Sequence, residues 1–213
     1  MLIPFQEVLN IHRLKPKGIL HVGAHHGEEL SDYLNAGVEN IVWVEALPDK
    51  VAYLKGRHEI YQKPATMKVL QACVSDVTGE SVEFHITNNG QSSSMLNMKE
   101  HLVQHPEVHV VNTIRLTTIT LADLMRQNGL DIGNYDFVNL DIQGAELKAL
   151  RGMGDLLDKV NCIYCEVNIR ELYAGCPPMS EIDHFLKLHG FDRYDTKFTR
   201  CYWGDALYLR SPE

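Results

Sequence analysis

Short apolar runs with strand character alternate with stretches of helical periodicity along most of this chain, and that rhythm restricts the fold more than any other feature. Residues 19–22, 41–46, 67–74, 137–140 and 162–167 read as core strands. The first runs into a helix over 28–36, with Leu30, Tyr33 and Leu34 on one face and Gly37 at its end. Pro48 opens a second helix with Val51 and Leu54 inward. Thr120 and Asp123 form a capping-box type start for a helix that ends near Gly129. Leu147 and Leu150 mark another. Ser180 caps the last, which carries Ile182, Phe185, Leu186 and His189 on one side and stops at Gly190. Strands that alternate with helices predict a mostly parallel sheet with helices on both faces, an α/β fold.

Three segments stand outside the rhythm. Residues 1–17 read as an N-terminal helical extension with Phe5, Val8 and Leu9 on one face. Residues 81–116 read as an insertion between core strands: 81–87 alternates like an extra strand, 88–94 is a polar, flexible loop without core residues, and 108–116 is extended again. The tail over 191–210 reads as two strands joined by a turn near 197–199. A hairpin is antiparallel, so one strand of the sheet runs against the rest. With no repeat, low-complexity tract or linker, residues 1–213 form one domain.

The formal net charge of -8 argues against a nucleic-acid partner, whose phosphates are met by Lys and Arg. No run of about 18 apolar residues occurs, so no membrane span is expected. The start of the chain lacks the basic and apolar regions of a signal peptide. Five cysteines without framework spacing read as reduced thiols in a cytoplasmic protein. Cys162 and Cys165 resemble a CxxC pair, but residues three apart on a strand point to opposite faces.

In open α/β sheets ligands sit beyond the carboxyl ends of the strands. Four such ends are informative here. The first is Gly23-Ala24-His25-His26-Gly27, whose small residues admit a ligand and whose following helix start offers N–H groups to an anion. Its G-x-x-x-G spacing is not the dinucleotide fingerprint. The second is Glu45, 22 residues after Gly23, where an acid can accept from both ribose hydroxyls; a solvated strand-end acid is the plainer alternative. The third is Asp141. The fourth is Glu166, with Asn168 two residues on. These last three make an oxygen-rich candidate for Mg²⁺ or another hard cation, for an amino group, or for a base, with structural ion pairing as the ordinary explanation of Glu166. His21, His25 and His26 lack the further converging ligands a zinc site needs, so the histidine-rich turn reads as a cofactor loop.

The segments His21-Val-Gly-Ala-His-His-Gly27, Val44-Glu45-Ala46, Ala72-Cys-Val-Ser-Asp76, Gly79-Glu80, Ser92-Ser-Ser94, Thr117 to Asp123, Leu140-Asp-Ile-Gln-Gly-Ala-Glu146 and Ile163 to Val167 together resemble the FkbM family of S-adenosylmethionine-dependent methyltransferases. The resemblance spans about Gly18 to Leu209. It implies the class I methyltransferase fold, in which the closing hairpin belongs, and methyl transfer from S-adenosyl-L-methionine, usually to a hydroxyl of a sugar or natural product. It places the cofactor across Gly23, Ala24, His25 and Gly27, with Glu45 and Ala46 at the ribose, Cys73 and Val74 near adenine, and Asp141 beside the methyl group. Ser92, Ser93 and Ser94 would lie in a loop over the acceptor, with Asp141, Glu166 and Asn168 as the catalytic or metal-binding set. The family often has Asp where His21 stands, and Lys and Glu where Asn139 and Gln143 stand; Asp141, Gly144 and Glu146 are kept. An NAD-dependent oxidoreductase and a non-catalytic binding module are the rival expectations.

Overall fold

The computed structural model describes residues 1–60 and 66–211. Five strands run parallel: β1 (Gly18–Val22), β2 (Asn40–Glu45), β3 (Thr66–Gln71), then β7 (Phe137–Leu140) and β8 (Cys162–Asn168). Between β3 and β7 come the short β4 (Cys73–Val74), β5 (Ser81–Thr87) and β6 (Val110–Ile119). The chain closes with the hairpin β9 (Phe191–Phe198) and β10 (Trp203–Arg210). The main sheet has the order β3-β2-β1-β7-β8-β10-β9. As the tail pattern requires, β10 is antiparallel to β8 as well as to β9.

The helices are α1 (Phe5–His12), α2 (Leu30–Asn35), α3 (Pro48–Ile60), the single turn α4 (His101–Gln104), α5 (Leu121–Gln127), α6 (Glu146–Arg151) and α7 (Met179–Leu188). Every residue of β1, β7 and β8 is buried, which is why these strands read as unbroken apolar runs. Two cores result. One face packs Leu20, Val138, Ile163 and Cys165 against α5, α6 and α7; the other packs Ile19, Phe137, Cys162 and Tyr164 against α1 and α2. Cys162 and Cys165 thus lie on opposite faces of the sheet, and all five cysteines are free. Among the described residues no helix is long and apolar enough to cross a membrane.

Several boundaries differ from the sequence reading, each for a local reason. The run 67–74 is not one strand: it breaks at Ala72, whose N–H donates to the Glu45 carbonyl, and Cys73–Val74 crosses to pair with β6 in a separate three-stranded sheet. The first helix after β1 starts at Leu30 because residues 23–29 are spent on a tight turn, with Gly23, His25 and Gly27 at positive φ. Ser180 lies inside α7; Pro178 is the N-cap, and its ring pre-sets the backbone for helix entry. The closing turn spans 199–202, later than expected, with Tyr202 at φ 66°. Thr120 does cap α5, accepting from the Asp123 N–H at 3.1 Å.

Candidate functional site

Register brings the strand ends into one row. Val22 pairs with Val44 and with Leu140, and Leu140 pairs with Cys165, so Glu45, Gly23, Asp141 and Glu166 follow one another along the sheet edge. Gly23 makes the row possible. At φ 86° it brings its backbone so close to β7 that a Cβ there would lie 1.7 Å from the Asp141 carbonyl oxygen. Above the row opens a cleft of about 490 Å³, within the usual range for a small-molecule site.

One end of the cleft is built mainly from backbone and apolar side chains. The Glu45 carboxylate is held at both oxygens, by the His25 N–H and the Leu47 N–H, each at 2.8 Å. Each oxygen keeps a lone pair for a ligand hydroxyl. Burial pushes its pKa up, against the pull of those N–H donors. Beside it Leu47, Cys73 and Phe84 cluster as an apolar wall with Val74 close by. Burial raises the Cys73 thiol to about 12, so it stays neutral. These residues suit a nucleoside: a flat apolar slot next to an acid that can bind two hydroxyls.

The amides of the glycine turn itself are already engaged. Gly23 and Ala24 both donate to the Val44 carbonyl, His25 to Glu45, His26 to Glu28 and Gly27 to Ala24. The turn shapes the cleft and orients Glu45; its own N–H groups are used. Gly23, Ala24 and His25 line the cleft, whereas Gly27 faces Leu54 and Trp43 behind it.

Most of the histidine nitrogens here have other partners, while His25 Nε2 is buried and unpaired. His25, His26 and Glu28 do place ligand atoms within 4.8 Å of one another. His26 Nε2, however, lies 3.0 Å from Lys50 Nζ, so it accepts from the ammonium and Nδ1 carries the ring proton. A protonated Nδ1 cannot ligate a metal. His25 Nδ1 bonds Glu28 at 2.7 Å; burial opposes the charge on Glu28, but that bond prevails and holds it at about 2. His21 is buried, and burial lowers its pKa, so the ring is neutral. It meets the Tyr33 hydroxyl at 3.0 Å, as does Asn139 Nδ2. Strand register sets His21 opposite Asn139. The two departures from the family's acid and lysine therefore meet each other, in a neutral network closed by Tyr33.

The other end of the cleft is acidic. Asp141 opens onto the cleft, yet enough protein crowds its carboxylate that burial, then the charge of Asp205, raise it to about 6. Glu166 is buried, and burial followed by the charges of Asp141 and Glu146 pushes it far up. Gln143 Nε2 donates to both, at 2.7 Å to Asp141 and 2.8 Å to Glu166. An N–H donor between the carboxylates stands where a shared cation would, so the donor set does not fit the Mg²⁺ expectation. Asn168 is buried outside the cleft lining, with its Oδ1 unpaired, and does not converge with the two acids.

The insertion forms the opposite wall. Asn89 to Ser93, Met95, His101, His105 and Glu107 line the cleft, with Tyr173 and Trp203 from the C-terminal half. Ser92, Ser93 and Ser94 are buried, contrary to the picture of a loose polar loop. Ser93 accepts from the Thr87 N–H, and Asn89 bonds Ser92 through both its amide atoms. Ser94 lies outside the cleft lining and ties the loop to the Gln143 carbonyl at 2.8 Å. Sequence reasoning missed Tyr173 and His101, and it named Glu146 as a kept motif residue without giving it a role. Only Glu146 carried a local signal: its carboxylate accepts from the Ile142 and Gly144 N–H groups and so fixes the loop that carries Gln143.

The methyltransferase FkbM domain matches residues 21–193. The 2-O-methyltransferase NoeI of Sinorhizobium fredii (strain NBRC 101917 / NGR234) is 30% identical over 148 residues, covering 66% of this chain and 58% of that protein. This chain thus spans less than two thirds of that relative's length. Among solved structures, methyltransferase FkbM from Methylobacillus flagellatus KT aligns with a TM-score of 0.59 at 13% identity, over 90% of this chain and 43% of that one. The magnesium protoporphyrin IX methyltransferase ChlM from Synechocystis PCC 6803 with bound SAM aligns at 0.51 and 12% identity, over 91% and 69%. These structures show the class I methyltransferase fold.

Proposed function

The chain belongs to the FkbM methyltransferase domain family, and from that premise we propose that it methylates a hydroxyl oxygen of a sugar or small natural product, using S-adenosyl-L-methionine. One observation carries the reading: a single cleft joins a nucleoside-shaped end at Glu45 to a pair of carboxylates at Asp141 and Glu166. The name of the NoeI relative supports oxygen as the acceptor atom. The net charge of -8 favours a small-molecule or glycan acceptor over nucleic acid, and five free cysteines suit a cytoplasmic setting.

When bound, S-adenosylmethionine supplies an electrophilic methyl group on a sulfonium. Glu45 would accept from the ribose hydroxyls, Ala46 and Leu47 would follow the sugar, and Cys73, Val74 and Phe84 would flank the adenine. Asp141 lies at the far end of the same cleft. Two carboxylates that share one amide donor repel when both are ionised, so Glu166 holds its proton and Asp141 serves as the base for the acceptor hydroxyl. Asp141 would take the proton that the acceptor hydroxyl must lose when the sulfonium gives up its methyl and leaves as a neutral thioether. The insertion, with Ser92 and Ser93 at its centre, covers the acceptor and keeps out water. Alignment of acceptor and methyl can supply much of the rate, since fixed attack geometry replaces a translational entropy loss.

Calorimetry with S-adenosylmethionine and with NAD, followed by transfer of labelled methyl to a panel of saccharides and hydroxylated small molecules, tests the proposal. Binding of S-adenosylmethionine alone and label on an acceptor oxygen are expected. Binding of NAD instead would mark an oxidoreductase, and cofactor binding without transfer to any member would mark a binding module.

A further inference from the structure

Gln143 occupies a backbone conformation that folding alone would assign to glycine. Its φ is 55°, and it precedes Gly144 at 98°. A non-glycine residue held there is strained, and such strain persists where the surroundings demand that side chain. Every polar atom of the side chain is engaged. Nε2 gives its two hydrogens to Asp141 Oδ1 and Glu166 Oε2, and Oε1 accepts from the Tyr173 hydroxyl at 2.8 Å. Tyr173 also reaches the Ser92 carbonyl at 3.1 Å, and Ser94 holds the Gln143 carbonyl. The residue therefore sits between the acid pair and the insertion wall and bonds to both.

We propose that Gln143 is a positioning residue whose amide clamps Asp141 and Glu166 side by side and couples the pair, through Tyr173, to the loop that covers the acceptor. The proposal rests on the methyltransferase reading for the purpose of the clamp, but not for its existence. The surroundings explain why a neutral donor is needed. Asp205 comes from β10, Glu146 from α6, Glu29 from the turn before α2, and Cys165 and Tyr164 from β8, with the Tyr173 phenol above and the Met1 amine alongside. All but the amine are acids, and each negative charge favours protonated carboxyls. The amide is in direct hydrogen-bond contact with Asp141 and favours its ionised form. A glutamate at 143 would remove both donors and add another acid.

The test uses the full chain with ¹³C-labelled carboxyl groups, titrated by NMR as wild type, Gln143→Gly and Gln143→Glu, each with a melting curve and calorimetry with S-adenosylmethionine. Gln143→Gly relieves the backbone but removes three side-chain hydrogen bonds, so its melting curve serves to establish that the variant is folded at the temperature of the titration. The Asp141 midpoint should nevertheless move up by about one pH unit in Gln143→Gly and by about two in Gln143→Glu. Cofactor affinity should stay within about threefold, because the clamp lies at the acceptor end. An unchanged Asp141 midpoint in a folded Gln143→Gly protein overturns the clamp, even if the wild type binds the cofactor. A shifted midpoint in a protein that does not bind the cofactor upholds the clamp and overturns the methyltransferase reading instead.

Discussion

The two ends of the cleft are made differently. At the Glu45 end the decisive contacts join residues near each other in sequence or on paired strands: Glu45 to Leu47 and His25, Ala72 to Glu45, Gly23 to Val44. At the Asp141 end they join distant segments: Gln143 to Glu166, Tyr173 to Ser92, Ser94 to Gln143. The first end is rigid because strand register fixes it. The second depends on side-chain hydrogen bonds between a core loop and an insertion. Cofactor recognition can thus stay constant while the acceptor wall changes, and substitutions at the two ends should separate binding from turnover.

The largest expected effect lies at the acidic end. Asp141→Asn keeps the shape and removes the base, so turnover should fall about 10²–10⁴-fold, while calorimetry finds cofactor binding largely intact. Wild-type turnover in this variant would end the comparison as drawn. The complementary change is Glu45→Ala. It removes an acceptor for the ribose and frees two backbone N–H groups, and should weaken cofactor binding by about 1.5–3 kcal/mol, roughly ten- to a hundredfold. Its Asp141 titration should stay where it is.

A smaller effect concerns pH. Burial is the main cause that lifts Glu146 to about 7 from an ordinary 4.5, and Glu146 is the larger contributor; Asp141, raised to about 6 from 3.8, stands open to the cleft, so solvent screens its share. The folded state therefore binds these protons more tightly than the unfolded chain. Their stabilisation is complete below about pH 4 and is lost as pH rises through 6 and 7. The cofactor-free protein should melt several degrees lower at pH 8 than at pH 5.5. Glu146→Gln keeps an oxygen for the Ile142 and Gly144 N–H groups and removes the charge. It should flatten that profile and gain about 1–2 kcal/mol at pH 8. A profile as steep as the wild type's would assign the pH dependence to other groups.

The contrast also explains what the sequence made legible. Strand ends, their row and the place of Glu45 and Asp141 follow from alternation, since apolar runs mark strands and parallel register aligns their termini. The closing hairpin was legible for the same reason. The break at Ala72 was not, because both halves of 67–74 are apolar enough for one strand and only pairing with β6 separates them. The buried serines were read as a mobile loop because serine itself carries no sign of burial; its partners Asn89, Thr87, Tyr173 and Gln143 do, and two of these lie far along the chain. His101, buried with an unpaired Nδ1 at the cleft, has no local signature at all.

The smallest predicted effect is the most discriminating for the loop. Ser94 sits outside the cleft lining, so it cannot touch an acceptor directly. Its hydroxyl donates to the Gln143 carbonyl and accepts from the Leu96 N–H. Ser94→Ala leaves both backbone groups short of a partner in a buried place, which should cost about 1 kcal/mol of stability and lower the melting temperature by about 2–4 °C. If the insertion merely covers the cleft, turnover should drop only as far as the folded fraction does. If the loop also holds the Gln143 segment in register with the acid pair, turnover should fall a further few-fold at constant cofactor affinity, and the Asp141 midpoint should rise. Ser93→Ala provides the control. The Ser93 hydroxyl bonds within the loop, to Thr87, and not to the Gln143 segment, so Ser93→Ala should reproduce the loss of stability without moving the Asp141 midpoint.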